Sequence, residues 1–229
     1  MKKFHLPKLA ILPLLSVLVL NTVARAEDGW ISMFNGTDLT GWKSNADTED
    51  QADQKKDAFS VEDGKLKISN GRVHIFYVGA DGKASFKNFE FKAKVMTTPG
   101  ANSGIYFHTK FEEKGWPSKG YECQVNATHG DRKKTGGLYA VADVLDNAPN
   151  KDNEWCDYSI KVEGKHIVIK INDKVTTDFT QPDPWTPPAG MAGRMIGEGT
   201  IALQGHDPKS TTFYKDIFIK PHRKTKRRA

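Results

Sequence analysis

Cysteine is scarce in this 229-residue chain, which contains only Cys123 and Cys156. Two cysteines cannot form a disulfide-rich scaffold, and their separation matches neither a zinc-binding knot nor a redox pair. Both lie in runs that read as strands, so the sequence leaves two interpretations open: one disulfide, or two buried free thiols. The fold must therefore rest mainly on a hydrophobic core, for which 38% hydrophobic residues are sufficient.

Long apolar runs are also scarce. The run from Leu9 to Leu20 is too short to span a membrane comfortably. Lysines precede it, and Ala24-Arg25-Ala26 follows with the small residues of a cleavage site. This order is typical of a secretory signal peptide over residues 1–26. We expect a secreted mature chain, with the periplasm as its compartment and with no transmembrane segment.

Positive charge is confined to the two ends of the chain. The net charge is +6, but four basic residues lie in the leader and five in the tail after Pro221. Setting these nine charges aside leaves a net charge of −3 for the segment between them. No basic and aromatic stripe marks a nucleic-acid surface, so nucleic acid is excluded as a partner. The tail, residues 221–229, is predicted to be a disordered end.

The segment between the ends reads as strands and turns. Phe89–Met96 alternates apolar and charged residues, and Phe59–Ile68 reads as a hairpin around Asp63-Gly64. About ten such strands and no convincing helix can be recognised. They predict one all-β domain over residues 27–220, built as an antiparallel β-sandwich.

Two short runs carry the polar side chains of greatest interest, Ser103–His108 (SGIYFH) and Gly120–Asn126 (GYECQVN). Side chains alternate between the two faces of a strand, so polar and apolar residues of these runs separate. The polar face would hold Tyr106 and His108 from the first run, and Glu122, Gln124 and Asn126 from the second. Such strands suit the floor of a wet groove above a packed core.

A second carboxylate is missing beside Glu122. Retaining glycosidases need two carboxyl groups about 5–5.5 Å apart. The next residue on the same face as Glu122 is Gln124, which is an amide. The sequence therefore argues against an ordinary retaining glycosidase.

Six short motifs, taken in order, resemble the 3-keto-disaccharide hydrolase domain family. They are Phe34-Asn35-Gly36, Asn102–Tyr106, Gly120–Val125, Thr135–Tyr139, Gly199–His206 and Phe213–Ile219. The resemblance extends from Gly29 to Lys220. It implies a concanavalin A-like jelly roll, and an enzyme that cleaves glycosides whose sugar has been oxidised to the 3-ketone.

A 3-ketone acidifies the proton on C2 of the sugar. A base can remove that proton, the leaving group can depart from C1, and water can add to the unsaturated product. Glu122 and His206 are the leading catalytic candidates, and either could be the base. The candidates for contacts with the substrate are Tyr106, His108, Gln124, Asn126, Arg194 and Gln204.

The alternative function is a non-catalytic carbohydrate-binding module. Trp116, Tyr106 and Trp185 would then be stacking platforms for sugar rings. The sequence requires no cofactor, and the metal ligands are left unassigned. A divalent cation such as Ca²⁺ would find carboxylates in the acidic loop Asp143–Asp152, without a diagnostic spacing. His74 and His129 are interpreted as structural.

Overall fold

The computed structural model describes Met1, residues 27–45 and residues 57–222. Apart from Met1, the predicted signal peptide lies outside the described residues, as does the predicted tail from residue 223 onward. Within the described residues, no helix is long and apolar enough to cross a membrane.

The described chain forms one short 3₁₀ helix, Glu27–Gly29, and fifteen strands. The strands are β1 (Ile31–Ser32), β2 (Trp42–Ser44), β3 (Phe59–Glu62), β4 (Lys65–Ile68), β5 (Val73–Tyr77), β6 (Phe89–Thr97), β7 (Ser103–Thr109), β8 (Tyr121–Val125), β9 (Lys133–Leu138), β10 (Ala142–Leu145), β11 (Cys156–Glu163), β12 (His166–Ile171), β13 (Lys174–Thr180), β14 (Thr200–Gly205) and β15 (Thr212–Pro221).

The strands form two antiparallel sheets. The back sheet has the order β13-β12-β11-β6-β15-β4-β3, with β1 beside β15. The front sheet has the order β10-β9-β8-β7-β14-β5-β2. The prediction of an all-β jelly-roll sandwich is confirmed. The sequence reading did not identify β1, β2 and β10, which are only two to four residues long, or β13, which is mostly polar.

The core lies between the two sheets. On β6, Phe89, Phe91 and Val95 are fully buried while the lysines between them point outward. From the front sheet, Phe107 and Tyr121 pack toward them, with the rings of Phe89 and Phe107 5.8 Å apart. Each fully buried apolar side chain of this kind stabilises the fold by about 1.5–3 kcal/mol.

Both cysteines are buried free thiols. Cys123 lies on β8 of the front sheet, and Cys156 lies on β11 of the back sheet. The Cys156 thiol contacts the backbone oxygen of Val95 at 3.4 Å. The sequence left a disulfide and two buried free thiols as alternatives, and the structure confirms the free thiols.

Candidate active site

The outer face of the front sheet carries a row of polar side chains. Glu122 on β8 pairs with Tyr106 on β7, and Gln204 lies on the next strand, β14. Their sequence neighbours Ile105, Cys123 and Leu203 point into the core. Alternation thus places the polar set on the face opposite the core, as the sequence predicted.

Two loops cover this polar face. One joins β7 to β8, and the other joins β13 to β14. They meet where the Gly120 amide donates to the Gly193 carbonyl at 3.0 Å. A Cβ on Gly193 would lie 2.0 Å from the backbone oxygen of Ser118, so only glycine permits this approach. The loops narrow the expected open groove to a partly covered cavity of about 590 Å³.

Glu122 lies on the floor of the cavity and is 5% exposed. Arg194 Nη2 donates to its Oε2 at 3.3 Å, and Gln204 Nε2 donates to its Oε1 at 2.9 Å. A Cβ at Gly104 would lie 2.7 Å from Oε1, so this glycine makes room for the carboxylate. Burial raises the pKa of Glu122, although the Arg194 cation and these hydrogen bonds oppose the shift.

Arg194 reaches the cavity from the second loop. The Trp185 indole donates to the Arg194 carbonyl at 2.8 Å, and the Arg194 amide donates to the Met191 carbonyl at 2.9 Å. Its guanidinium lies 5.8 Å from the ring of Tyr106 and 6.0 Å from the ring of Tyr139. The cavity therefore contains a fixed, nearly buried positive charge.

Tyr106 supplies a phenol beside the carboxylate. Gln204 Nε2 donates to the Tyr106 hydroxyl oxygen at 3.0 Å, and the phenol in turn donates its hydrogen to the Glu122 carboxylate. Burial, followed by the nearby Glu122 charge, raises the pKa of Tyr106 well above its ordinary value. Tyr106 is therefore a neutral donor throughout the physiological pH range.

His206 lies at the mouth of the cavity, just after β14. Its Nδ1 is 2.9 Å from Oδ2 of Asp207. Burial acts to raise the pKa of Asp207, but hydrogen bonds from His206, Ser210 and Lys209 lower it to about 2. An ionised carboxylate only accepts, so Nδ1 carries a proton, and Nε2 is the nitrogen that can accept whenever the ring is uncharged.

The sequence expectation for His108 is wrong, because this side chain does not share the face of Tyr106. Phe107 and His108 together oppose the single residue Ile201, and His108 has a φ of 56°. This β-bulge turns the imidazole away from the cavity. His108 instead contacts the Lys87 carbonyl at 2.9 Å and accepts the Gly197 amide at 3.2 Å.

The expectation for Asn126 is also wrong. Asn126 follows the end of β8 and is fully buried, but it does not line the cavity. Its amide donates to the carbonyls of Asp131 and Lys133, at 3.0 and 2.8 Å, and its oxygen accepts the His129 amide at 2.9 Å. It shapes the turn after β8 and has no hydrogen-bonding capacity left for a ligand.

The other sequence-predicted site residues, Glu122, His206, Tyr106, Gln124, Arg194 and Gln204, all line one cavity. Sequence reasoning missed Asn102, whose Oδ1 accepts from Gln124 at 3.0 Å, and Tyr139, which forms part of the wall. Each lies just outside a strand, where alternation gives no prediction. The available signal for a role in the site was that both residues belong to family motifs, Asn102–Tyr106 and Thr135–Tyr139.

One group of side chains could approach a metal ion. His129, His206 and Asp207 bring one ligand atom each within 4.8 Å of one another. However, His129 Nδ1 already accepts the Asp131 amide at 3.1 Å, and His206 Nδ1 faces Asp207. A metal would have to displace or rearrange these hydrogen bonds. Within the described residues, the acidic loop Asp143–Asp152 holds no comparable group.

Comparison with known proteins identifies relatives of low identity. A curated 3-keto-disaccharide hydrolase from Bacteroides thetaiotaomicron is 23% identical over 84% of this chain and 78% of its own length. A crystal structure of a candidate glycosyl hydrolase from Parabacteroides distasonis matches with a TM-score of 0.69 and 21% identity, over 85% of this chain and 94% of that one.

The fold is shared with a sugar-binding protein as well. The carbohydrate binding module CBM66 from Bacillus subtilis matches with a TM-score of 0.51 and 16% identity, over 79% of this chain and 96% of that one. Fold similarity alone therefore does not separate an enzyme from a binding module. A sequence model of a single family, in contrast, matches residues 29–220. This chain belongs to the 3-keto-alpha-glucoside-1,2-lyase-like domain family.

Proposed function

We propose that this protein cleaves glycosides whose sugar carries a ketone at C3. The observation that supports the proposal is the arrangement in one cavity of a buried carboxylate, a fixed cation, a neutral phenol and an imidazole oriented by a second carboxylate. They belong to Glu122, Arg194, Tyr106 and His206. Elimination next to a ketone needs a base, an oxyanion stabiliser and an acid, and these four groups can fill all three roles.

His206 is assigned as the base. Its Nδ1 proton is held by Asp207, so Nε2 takes the proton from C2 of the sugar. The resulting imidazolium lies beside an ionised carboxylate, which stabilises the positive charge that forms during the step. The C2–H bond breaks, and its electron pair moves into the enolate.

Arg194 and Tyr106 are assigned to the enolate oxygen. The guanidinium and the phenolic hydrogen are both fixed in a covered cavity, where charge stabilisation is stronger than in water. Gln204 holds the phenol in place through its 3.0 Å hydrogen bond. Negative charge that develops on the former ketone is thus met by donors that need little reorganisation.

Glu122 is assigned as the acid, because burial raises its pKa and so makes a protonated carboxyl more accessible here than on an exposed side chain. It gives its proton to the glycosidic oxygen as the C1–O bond breaks, and the sugar becomes unsaturated between C1 and C2. Water then adds: its oxygen bonds to C1, Glu122 takes back a proton, and the imidazolium returns the other proton to C2. The net reaction is hydrolysis.

The test is incubation of the purified mature chain with 3-keto-trehalose, with and without chelator. We expect release of the 3-keto monosaccharide in both arms, because the assigned steps use side chains alone. Glu122→Gln and His206→Ala are expected to abolish turnover while the unfolding midpoint stays close to that of the wild type. Mass spectrometry separates the unsaturated product from its hydrate, and so separates a lyase from a hydrolase.

Three results would contradict parts of this proposal. Full activity in both variants would remove these residues from the mechanism. Loss of activity with chelator, restored by a divalent cation, would make the enzyme metal-dependent. Saturable binding of 3-keto-trehalose in calorimetry without any turnover would identify a carbohydrate-binding module instead.

A further inference from the structure

A buried histidine lies beside the proposed active site. His74 on β5 is fully buried, and neither ring nitrogen has a partner among the described residues. Burial, with the His206 charge as a smaller cause, lowers the pKa of His74 to about 3. The ring is therefore neutral, with one N–H to donate and one nitrogen to accept. Buried polar atoms without partners are rare, and each calls for an explanation.

The same spot contains a third unpartnered atom. Gln204 pairs with His74 across β14 and β5, and its Oε1 is buried without a partner among the described residues. Its amide nitrogen is already used by Tyr106 and Glu122, so the orientation of the side chain is fixed. A donor nitrogen, an acceptor nitrogen and an acceptor oxygen therefore lie on adjacent strands of the outer face.

Trp116 covers this polar spot. Its ring centroid is 5.2 Å from that of His74 and 5.6 Å from that of His206, yet Trp116 is 42% exposed. The neighbouring Gly115 carbonyl accepts a 3.3 Å hydrogen bond from Asn45, and the Arg72 guanidinium lies 5.9 Å from the indole. The cover is thus a solvent-exposed aromatic ring in the loop between β7 and β8, and it also forms part of the cavity wall.

The position of His74 matches a ligand longer than one sugar ring. Along the front sheet, Glu122, Tyr106, Gln204 and His74 lie on the consecutive strands β8, β7, β14 and β5. Neighbouring strands are spaced by about 4.7–4.9 Å, so β8 and β5 are about 14 Å apart. Glu122 and Tyr106 lie toward one end of this row and His74 lies at the other, with Gln204 between them and His206 next to Trp116.

We propose that His74, Gln204 Oε1 and Trp116 form a subsite for the second sugar ring, the leaving group of a disaccharide. A sugar hydroxyl both donates and accepts, which suits a neutral imidazole beside an amide oxygen. The apolar face of the sugar ring stacks on the indole after Trp116 moves off His74. The inference rests on the proposed function, because it takes the ligand of the cavity to be a glycoside.

The inference makes a joint prediction about stability and activity. His74→Phe removes two unpartnered buried nitrogens, so the midpoint of thermal unfolding of the free protein should rise by about 2–4 °C. The same change should lower kcat/KM about tenfold for 3-keto-trehalose, which has a second ring. It should leave kcat/KM within about twofold for methyl 3-keto-α-glucoside, which has none. His74→Leu repeats the test with a smaller side chain, in case the phenyl ring does not fit.

The experiment measures kcat/KM for both substrates with the wild type, His74→Phe and His74→Leu. A loss confined to the disaccharide in both His74 variants supports the subsite. An equal loss on both substrates, or unchanged kinetics on the disaccharide, overturns it and leaves the proposed function standing. If the wild type cleaves neither substrate, the proposed function fails. Calorimetry then decides the subsite, which stands only if His74→Phe weakens binding of 3-keto-trehalose.

Discussion

The two sheets carry the same kind of ion pair on their outer faces, with different consequences. On the back sheet, Lys94 and Asp157 are 2.7 Å apart, and their side chains are 40% and 65% exposed. On the front sheet, Arg194 and Glu122 are 3.3 Å apart, and their side chains are 9% and 6% exposed. The shorter pair is the weaker one, because water and salt screen it and exposed pairs contribute about 0–1 kcal/mol.

The difference lies in what covers each sheet. The back sheet faces solvent around this pair, whereas two loops close over the front sheet and remove water from Glu122. Removing one partner of a buried pair leaves an uncompensated charge, which costs about 3–5 kcal/mol. Coverage, more than distance, therefore makes an ion pair chemically consequential.

The largest expected effect comes from breaking the buried pair. Arg194→Met should lower turnover of a 3-keto glycoside about 10²–10³-fold, because the enolate loses its cation. It should also lower the free energy of unfolding by about 3 kcal/mol, measured by urea denaturation at pH 7. Lys94→Met on the back sheet is the matched control and should change stability by at most about 1 kcal/mol. Similar losses in the two variants would contradict the comparison.

A second prediction concerns the mouth of the cavity. Asp207→Asn should lower turnover about 10–10²-fold, because the amide no longer fixes the proton on His206 Nδ1. His166 and Asp178 make a similar contact at 2.7 Å on exposed strands, so Asp178→Asn is the control. That control should retain wild-type kinetics. Turnover unaffected by Asp207→Asn would show that His206 acts without its carboxylate.

A third prediction tests the space that Glu122 needs. Gly104→Ala should lower turnover about tenfold, because the new Cβ would lie 2.7 Å from Oε1 and displace the carboxylate from Gln204. A Cβ at Gly130 would meet no atom within 4 Å, so Gly130→Ala is the neutral control. Equal kinetics in the two variants would mean that the position of the carboxylate is not critical.

The smallest expected effect is a pH dependence of stability. The folded-state pKa of Glu122 is raised above its ordinary value of 4.5, so the folded protein holds this proton more tightly than the unfolded chain. Its contribution is fully present below pH 4.5 and is lost as the pH rises through the folded pKa. Relative to Glu122→Gln, the wild type should lose stability over that window in urea denaturation. If the wild type instead becomes more stable relative to Glu122→Gln as the pH rises, the raised pKa of Glu122 is contradicted.

Much of the fold followed from local pattern. The alternation on Phe89–Met96 and the turn at Asp63-Gly64 were enough to predict β6 and the β3–β4 hairpin. Alternation also placed Glu122 and Gln124 on the outer face. It failed at His108, because a bulge inserts one residue and reverses the face. The bulge depends on close approaches at Gly120 and Gly199, which no local pattern reveals.

The family, the all-β sandwich and the polar face of β8 were determined by the sequence itself, since motifs and strand alternation are local properties. The tertiary structure decided which groups meet. Glu122 contacts Arg194 and Gln204 across 72 and 82 residues of chain, and the second loop closes the cavity over them. Burial, and with it the raised pKa of Glu122 and the unpartnered ring of His74, arises only once distant segments exclude water.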